Sequence, residues 1–486
     1  MLSWLARRLG WEDRPQGDPM LHTEGEDDED ADDGGAEEDE AGEAGAGEES
    51  DGEAWTSNRE IAVRLSSREA YPGVPLTARV RVLHPDVVQV RHAWCGGREG
   101  DAAHVVPEED AEFVTVTSTA VMRDGSRGEP LTVGLPGVPV RPLPPQEAYA
   151  APERAWRPAD VGDVEGDVLT ICSYNVLAPL FTTPGAYVRE PTTPEWSLAW
   201  PWRGASLVRE VETYAADVLC MQEVQSDQFG DFWQPELAKI GFPDGHYMAK
   251  SNVVGDDSLG DGVAVFLCEG IDVERVERVA YEQLVAERWK RDHANWYHHY
   301  KRNHNVALLV LCRHRDSGKA FLVANTHLFW NPTYPEVKLL QASLLLQQVH
   351  EHFPEVGHGI PLVLCGDLNS LPNSDVYRLL SKGKVHASNV RGREKGALRK
   401  SDLQSPIGAL RSCYAQASGS RAEPEFTNFP RKFCGTLDYI FVGGGGIEPV
   451  RVRALPSRAW IKQNGHLPNR HLGSDHLALV ADVALT

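Results

Sequence analysis

The stretch VLCGDLN, residues 363–369, constrains the fold most, because an apolar run ends there in a carboxylate and an amide two residues apart. Such a run predicts a β-strand that ends at the mouth of a site. Side chains alternate across a strand, so we expect Asp367 and Asn369 to point to one side if the extended geometry continues past Gly366. An acid and an amide so placed can share a phosphate, a water or a metal ion. Alone, the pattern is equally typical of a strand that ends in a turn.

The same construction recurs along the chain, as short apolar runs that each stop at a polar residue a buried strand does not need. A single strand-end Asp or His is more often a turn or cap residue. Repetition in order instead predicts polar groups collected at one edge of a sheet, where α/β folds bind ligands. The polar residues that end or follow these runs are Asn175, Glu223, His327, Asp438, Asp475 and His476.

Negative charge is concentrated near the start of the chain. Between Glu24 and Glu53 there are 17 acidic residues and no Lys or Arg, so the remainder carries only −6 of the net charge of −23. A segment this acidic and nearly without apolar residues cannot form a core, and we expect residues 1–53 to be disordered. Such a segment is a solubilising tail or, alternatively, binds a partner or mimics RNA in autoinhibition. Without this segment, the remaining net charge does not exclude a nucleic-acid substrate.

Three segments are expected after the acidic one. Short alternating strands predict a small β-sandwich over 54–140, and a Pro- and Ala-rich stretch predicts a linker over 141–167. Strands and helices then alternate over 168–486, with amphipathic helices at 203–215 and 337–353, which predicts an α/β catalytic domain. No run of about 18 apolar residues occurs, so no membrane span is expected. The eight cysteines lack metal-finger spacing, which fits a reducing compartment.

The strand-end residues favour phosphoester hydrolysis by an activated water. They supply hard oxygen ligands and two histidines for proton transfer, and the sequence has no nucleophile motif of the GxSxG kind. Mg²⁺ prefers such oxygens and keeps several of its waters, so Mg²⁺ is the expected ion, with Mn²⁺ as the alternative. Zinc is disfavoured, because His and Cys pairs at short spacing are missing from the sequence.

The order of motifs from about 170 to 485 resembles the endonuclease/exonuclease/phosphatase superfamily, and within it the carbon catabolite repressor type of messenger-RNA deadenylase. The resemblance is carried by SYNVLA, WPWR, LCMQEVQSDQF, DGVAVF, NVALLVL, NTHLFWNP with EVKLLQ, CGDLNSLPNSDVYRLL, GTLDYIFV and SDHLALVADV. Each motif is weak alone, and the ordered set is specific. The resemblance implies a four-layer α/β sandwich for 168–486. VPEEDAEFVTV is loosely similar to the accessory β-domain of plant-type members, and leucine-rich repeats are not visible.

The resemblance also implies roles for the strand-end residues. Glu223 is then the direct metal ligand, with Asn175 and Asp475 beside the metal and its waters. Asp367 and Asn369 hold the attacking water and the scissile phosphate. His476 is a general base or a hydrogen-bond donor to the transition state, oriented by Asp438, and His327 contacts the phosphate. Which histidine transfers which proton stays open.

Substrate selection is expected beside this core. Family likeness places Asn331, Pro332 and Phe433 around the terminal base, with Phe433 as a stacking face and Asn331 as a polar edge contact that favours adenine. For Phe433, core packing is an equally open interpretation. The expected partners are the 3′ end of single-stranded RNA, poly(A) above all, and a protein bound through the acidic segment or the β-domain. A cytoplasmic protein that is also nuclear is expected, with mitochondria as the alternative.

Three functions stay open at this point. The first is a 3′ to 5′ exoribonuclease that shortens poly(A) and releases AMP. The second is a phosphatase or phosphodiesterase acting on a small adenylate-type molecule, such as a dinucleotide, a cyclic phosphate end or a 2′,5′-oligoadenylate. The third is a non-catalytic scaffold, which the loss of a catalytic residue would have supported, and none is lost.

Overall fold

The computed structural model describes most of the chain after residue 55. The described residues are 56–65, 70, 75–94, 99–100, 103–105, 113–139, 143–159, 166–182, 187, 192–250, 260–289, 304–356, 358–386, 403–418 and 422–486. The segment 1–53, which we expect to be disordered, lies outside them. Among the described residues, no helix combines the length and the apolar character that crossing a bilayer requires.

Two four-stranded sheets form the part of the chain predicted as a β-sandwich. Alternating residues such as Ile61 and Val63 from one sheet and Val114 and Val116 from the other share one buried core, as the period of two requires. The sheet orders are β1-β2-β3-β6 and β5-β4-β7-β8. The strands are β1 (Thr56–Ser57), β2 (Ile61–Leu65), β3 (Pro75–Val82), β4 (Val87–Trp94), β5 (Glu99–Gly100), β6 (Ala103–Val105), β7 (Phe113–Met122) and β8 (Leu131–Pro139).

Two larger sheets form the centre of the predicted catalytic domain. One has seven strands in the order β12-β13-β11-β10-β23-β22-β9, and the other has six in the order β14-β15-β16-β17-β21-β20. A further pair, β18-β19, stands apart. The strands are β9 (Trp156–Pro158), β10 (Asp167–Asn175), β11 (Val218–Gln225), β12 (Asp244–Ala249), β13 (Asp261–Leu267), β14 (Ile271–Ala280), β15 (Val306–His314), β16 (Ala320–His327), β17 (Leu362–Asp367), β18 (Lys384–Val385), β19 (Leu403–Gln404), β20 (Arg411–Ser412), β21 (Asp438–Gly443), β22 (Ile447–Arg453) and β23 (Leu479–Leu485).

Helices cover the outer face of each sheet, so the layers run helix, sheet, sheet, helix. Leu207 and Val211 of the helix Trp200–Glu212 pack on the seven-stranded sheet, and Leu340 and Leu344 of Pro335–His352 pack on the six-stranded one. Strand residues of both sheets form a third core between them. This confirms the expected four-layer sandwich. The other α-helices are Glu195–Leu198, Ser226–Gln228, Gln234–Lys239, Tyr281–Trp289, Asp375–Lys382, Cys413–Ala417 and Arg458–Gln463, with short 3₁₀ turns at Gln146–Tyr149 and Pro179–Phe181 and a π-helical turn at Phe229–Trp233.

The stretch predicted as a linker is partly built into the catalytic sandwich. Strand β9 pairs with β22 at the edge of the seven-stranded sheet. The guanidinium groups of Arg451 and Arg453 each lie over the Trp156 ring, 4.3 Å from its centroid. Arg154 is buried and donates to the Ala454 carbonyl and to the Tyr214 hydroxyl, both at 2.8 Å. We call residues 143–159 the strap. The Pro- and Ala-rich composition of this stretch predicts a linker and gives no sign of these anchoring side chains.

Candidate active site

Three of the predicted site residues lie side by side at one edge of the six-stranded sheet. β16 and β17 are parallel and place His327 opposite Asp367, while the antiparallel β21 places Asp438 opposite Asp367. On the other sheet, β10 pairs with β11 and places Asn175 opposite Gln222, next to Glu223. The two sheets present these ends to each other.

Glu223 stands at a β-bulge. The pairing of β11 with β13 shifts between Gln222 and Val224, and Glu223 adopts a φ of 57° between them. A bulge inserts one extra residue and redirects a side chain, at the cost of backbone strain for a non-glycine residue in the left-handed region. Gln222 points inward and donates to Asn325 Oδ1 at 2.8 Å, which leaves Glu223 directed at the site.

The turn after β17 brings Asn369 back onto Asp367. Strand β17 includes Gly366, where a Cβ would lie 2.1 Å from the Thr326 carbonyl oxygen, so only glycine allows β16 to approach this closely. Extended geometry stops at Asp367, and Asn369 has a φ of 47°. The expectation that strand alternation aligns Asp367 with Asn369 is therefore wrong. The turn aligns them instead, through an Asn369 N–H that donates to Asp367 Oδ1 at 2.8 Å.

One carboxamide joins the two sheets at this edge. Asn175 Nδ2 donates to Glu223 Oε1 and to Asp367 Oδ2, each at 3.0 Å. Its Oδ1 accepts from the Leu177 N–H at 3.0 Å, which orients the amide. Glu223 Oε2 accepts from the Ala178 N–H at 3.2 Å. Asn175, Glu223 and Asp367 therefore form one hydrogen-bonded cluster.

His476 is paired with a buried carboxylate. Its Nδ1 lies 2.8 Å from Asp438 Oδ2, which also accepts from Thr427 Oγ1 at 2.5 Å, and its Nε2 faces Asp367 Oδ2 at 3.6 Å. Burial lowers the pKa of His476, but attraction to Asp438 and Asp367 outweighs it and raises the pKa well above 6.5. Burial and repulsion from Asp438 raise the pKa of Asp367 to about 6. At neutral pH the site therefore holds an imidazolium beside a carboxylate.

His327, unlike His476, lies where a positive charge on its ring is disfavoured. Its Nε2 accepts from Asn369 Nδ2 at 3.0 Å, and Lys250 Nζ lies 3.4 Å from its Nδ1 while pairing with Asp261. Burial, together with repulsion from Lys250 and His476, lowers the pKa of His327 well below 6.5, so the ring is neutral. The positive charge on this side belongs to Lys250. Sequence reasoning missed Lys250, whose signal is a cation directly after strand β12.

The cluster fits a divalent metal ion. Ligand atoms of Glu223, His327 and Asp367 lie within 4.8 Å of one another. Asp475 Oδ2 accepts from the Tyr187 hydroxyl at 3.0 Å, and its buried Oδ1 accepts no hydrogen bond from any described residue. Burial and repulsion from Asp261 and Asp475 raise the pKa of Glu223 to about 7. A divalent cation would stabilise these crowded carboxylates in their charged form.

The residues expected to contact a base lie in loops at the same sheet edge. Asn331 and Pro332 form a surface turn four to five residues after His327, and Asn331 Oδ1 accepts from the Thr333 N–H at 2.9 Å. Phe433 is partly buried in the loop before Asp438. A Cβ on Gly435 would lie 2.9 Å from both the Phe433 ring and the Leu371 side chain, so the ring covers the glycine. Both loops leave the sheet where His327 and Asp438 are adjacent to Asp367.

Arg203 is a second residue that sequence reasoning missed, although WPWR contains it. Its buried guanidinium donates to the carbonyls of Val176 at 3.1 Å, Leu177 at 2.7 Å and Gly473 at 2.7 Å. The first two carbonyls follow Asn175, and the third precedes Asp475. One cation thus joins the two loops that carry these residues.

Replacing Arg203 by methionine is expected to destabilise the protein by about 4 kcal/mol or more, because three buried carbonyls lose their donor at about 1–3 kcal/mol each. The free energy of unfolding in urea measures this effect. Arg209→Met on the same helix is the control, since the Arg209 Nη1 to Glu147 distance is 3.8 Å and Glu147 is exposed. It should cost less than about 1 kcal/mol. Equal losses in the two variants would contradict the role assigned to Arg203.

The chain is similar in sequence to known proteins of one family. The model of the endonuclease/exonuclease/phosphatase family matches residues 172–476. The CCR4-Not complex 3′-5′-exoribonuclease subunit Ccr4 of Yarrowia lipolytica is 30% identical over 356 residues, covering 65% of this chain and 48% of that protein. Carbon catabolite repressor protein 4 homolog 1 of Arabidopsis thaliana is 30% identical over 364 residues, covering 67% of this chain and 58% of that protein. The chain thus spans about half the length of these curated relatives.

A solved structure shares the arrangement of layers. The crystal structure of ANGEL2, a 2′,3′-cyclic phosphatase, in complex with adenosine-2′,3′-vanadate is 26% identical with a TM-score of 0.55, and covers 69% of this chain and 99% of that one. The residues matched by the family model, 172–476, include the strand ends that carry the cluster. The chain belongs to the endonuclease/exonuclease/phosphatase family.

Proposed function

We propose that the protein is a magnesium-dependent 3′ to 5′ exoribonuclease that shortens poly(A) tails and releases AMP. The observation that carries the proposal is the convergence of Asn175, Glu223, Asp367 and His476 in one buried cluster, with no member lost. The Ccr4 relatives, named as 3′-5′-exoribonuclease subunits, support the reaction class.

The reaction breaks the bond between the phosphorus of the terminal nucleotide and the O3′ of the nucleotide before it. Water adds to phosphorus, and O3′ leaves and takes up a proton from solvent water. Asp367, with a pKa of about 6, is ionised at neutral pH and accepts the proton of the attacking water. His476 is already protonated and donates a hydrogen bond to a non-bridging oxygen, a role that suits a histidine whose pKa is raised by Asp438.

The proposed ion is Mg²⁺, with Mn²⁺ as the alternative. Glu223 would be its direct ligand, and Asn175 and Asp475 would lie beside it. Bound there, Mg²⁺ would neutralise charge on the scissile phosphate and its leaving oxygen. Lys250 adds fixed positive charge on the His327 side, while neutral His327 orients Asn369 rather than carrying charge.

Asn331, Pro332 and Phe433 are proposed to hold the terminal base. Their loops leave the sheet beside His327 and Asp438, which supports this placement. Stacking on Phe433 accepts any base, so preference for adenine depends on a polar edge contact from Asn331.

The test compares two RNAs that differ only in a 3′ oligo(A) or oligo(C) tail. With Mg²⁺, we expect the oligo(A) tail to be removed about fivefold faster, since one edge hydrogen bond is worth about 1 kcal/mol and 1.36 kcal/mol is a factor of ten. Asn331→Asp should lower this ratio toward one, because it removes the amide donor but keeps the oxygen that accepts from Thr333. Gel analysis with time gives both rates. Equal wild-type digestion of the two tails would overturn adenine selectivity.

A phosphatase or phosphodiesterase acting on a small adenylate-type molecule is the second candidate. The likeness to ANGEL2, whose structure holds adenosine-2′,3′-vanadate, favours a 2′,3′-cyclic phosphate end over the other small molecules. RNA ending in a 2′,3′-cyclic phosphate, tested against RNA with a free 3′ end, separates the two candidates. Removal of the cyclic phosphate without shortening of either RNA would replace the nuclease proposal.

Partners and location extend the proposal. Relatives named as CCR4-Not subunits support a protein partner, which we place on the acidic segment or the β-sandwich. We place the protein in the cytoplasm, and in the nucleus as well.

The strap carries the chain from the β-sandwich into the catalytic sandwich without a break in the described backbone from 143 to 159.

A further inference from the structure

Large apolar side chains are exposed around the active site. Beyond residue 160, the described large hydrophobic residues that are exposed are Val168, Phe181, Trp330 and Leu371. The last three stand six, three and two residues after Asn175, His327 and Asn369. Single exposed apolar residues are common on soluble proteins, but these three share one edge of the sandwich.

Phe181 is held at a fixed position relative to Glu223. The turn Pro179–Phe181 is bound to β11 by two hydrogen bonds: the Ala178 N–H donates to Glu223 Oε2 at 3.2 Å, and the Leu180 N–H donates to Gln225 Oε1 at 2.9 Å. The ring is 37% exposed. It is therefore an apolar surface with rigid support.

Trp330 is presented in a similar way. The Leu328 N–H donates to the Asp367 carbonyl at 2.9 Å, and the Phe329 N–H donates to Gln341 Oε1 at 2.8 Å. The backbone is thus fixed up to the residue before Trp330, whose side chain is 52% exposed. Phe181 thus follows a segment bound to the Glu223 carboxylate, and Trp330 follows one bound to the backbone carbonyl of Asp367.

Leu371 belongs to a different part of the edge. Its side chain and the Phe433 ring meet over Gly435, so it lies with the group proposed for the terminal base. Phe181 and Trp330 are left without a role in binding that base. An exonuclease at a 3′ end meets the polymer on one side only, so any further base contact is with a base 5′ to the scissile phosphate.

We propose that Phe181 and Trp330 form a second subsite, which stacks bases of single-stranded RNA on the 5′ side of the scissile phosphate. This proposal rests on the proposed function. Aromatic faces accept every base but require it to be unpaired, so the subsite contributes affinity and single-strand preference, not sequence choice. Lys250, in the site, and Arg431 and Lys432, exposed beside Phe433, supply charge of the sign that the backbone phosphates need.

The test uses two 20-nucleotide RNAs of equal charge that end in adenosine. One is oligo(A), and in the other every nucleotide before the last is abasic. With Mg²⁺, Phe181→Ala and Trp330→Ala should each raise KM for oligo(A) roughly 5- to 150-fold, the fold-change that corresponds to about 1–3 kcal/mol per stacked base. The kcat, and KM for the abasic RNA, should stay unchanged.

Val168→Ala is the matched control, because Val168 is exposed but lies seven residues from Asn175 along β10, about 23 Å away. It should change neither KM. The subsite proposal would be overturned if KM for oligo(A) is unchanged in Phe181→Ala and Trp330→Ala, or if KM changes equally for both RNAs. If the wild type leaves oligo(A) intact, the proposed function fails and the subsite is tested by binding instead. Fluorescence anisotropy then measures the affinity of labelled oligo(A) for the Glu223→Gln protein and for the same protein that also carries Trp330→Ala. Equal binding by those two proteins overturns the subsite.

Discussion

Replacing Glu223 by glutamine is expected to reduce RNA hydrolysis by about 10³-fold or more while the protein stays folded. The change removes the proposed direct ligand of the ion, whose stabilisation of charge is worth several kcal/mol, and each 1.36 kcal/mol is a factor of ten. The amide keeps the shape of the side chain and an oxygen for the Ala178 N–H. Rates on oligo(A) with Mg²⁺ measure the loss.

The same substitution should change how the ion affects stability. Because the pKa of Glu223 is raised to about 7, above its unfolded value, ionising it opposes folding. Metal-free wild-type protein should therefore lose stability as the pH rises from about 4.5 to 7, and Mg²⁺ should restore it. Because Asp367 also has a raised pKa, Glu223→Gln should lose less stability than the wild type over this pH range, and Mg²⁺ should stabilise it less. Glu269→Gln, in an exposed turn, is the control and should behave as wild type. An active Glu223→Gln enzyme would contradict the assignment.

Replacing Asp438 by asparagine is expected to lower activity by about 10²–10⁴-fold, the usual range for losing a proton-transfer group or its orientation. His476 loses the carboxylate that outweighs its burial, so the pKa of His476 should fall below its wild-type value. A titration of the His476 ring by NMR gives this pKa directly.

The stability of this variant should depend on pH in a set direction. The folded pKa of His476 is raised, so its pairing with Asp438 stabilises fully below pH 6.5, and that stabilisation is lost as pH rises through the folded pKa. Asp438→Asn should thus destabilise more at pH 6 than at pH 9 in urea unfolding. Asp316→Asn, in an exposed turn, is the control. A His476 pKa equal to that of the wild type would contradict the pairing.

The sequence predicts those parts of the site that depend on strand ends and order. Asn175, His327, Asp367 and Asp438 each end or begin a strand, and a sandwich of two sheets brings such ends together. The regular spacing of apolar residues also predicts the helices near 203–215 and 337–353. In the structure these helices begin at Trp200 and Pro335. Periodicity therefore predicts the helices and strands that form the layers, and the strand ends indicate where the polar residues gather.

Other parts of the site depend on tertiary contacts that leave no local pattern. The bulge at Glu223 depends on pairing with β13, and the left-handed Asn369 depends on Asp367 accepting its N–H. Arg203 is buried only because three carbonyls from distant segments converge on it. Lys250 matters through its distance from His327, which sequence separation does not give.

The strap determines where the catalytic unit can be cut. A fragment that begins at residue 168 would remove β9 and leave β22 as an open edge strand, a surface that invites pairing between molecules and aggregation. It would also remove the Trp156 ring that the Arg451 and Arg453 guanidinium groups contact, and take Arg154 away from Tyr214. The smallest unit suited to expression or crystallisation therefore begins before residue 143.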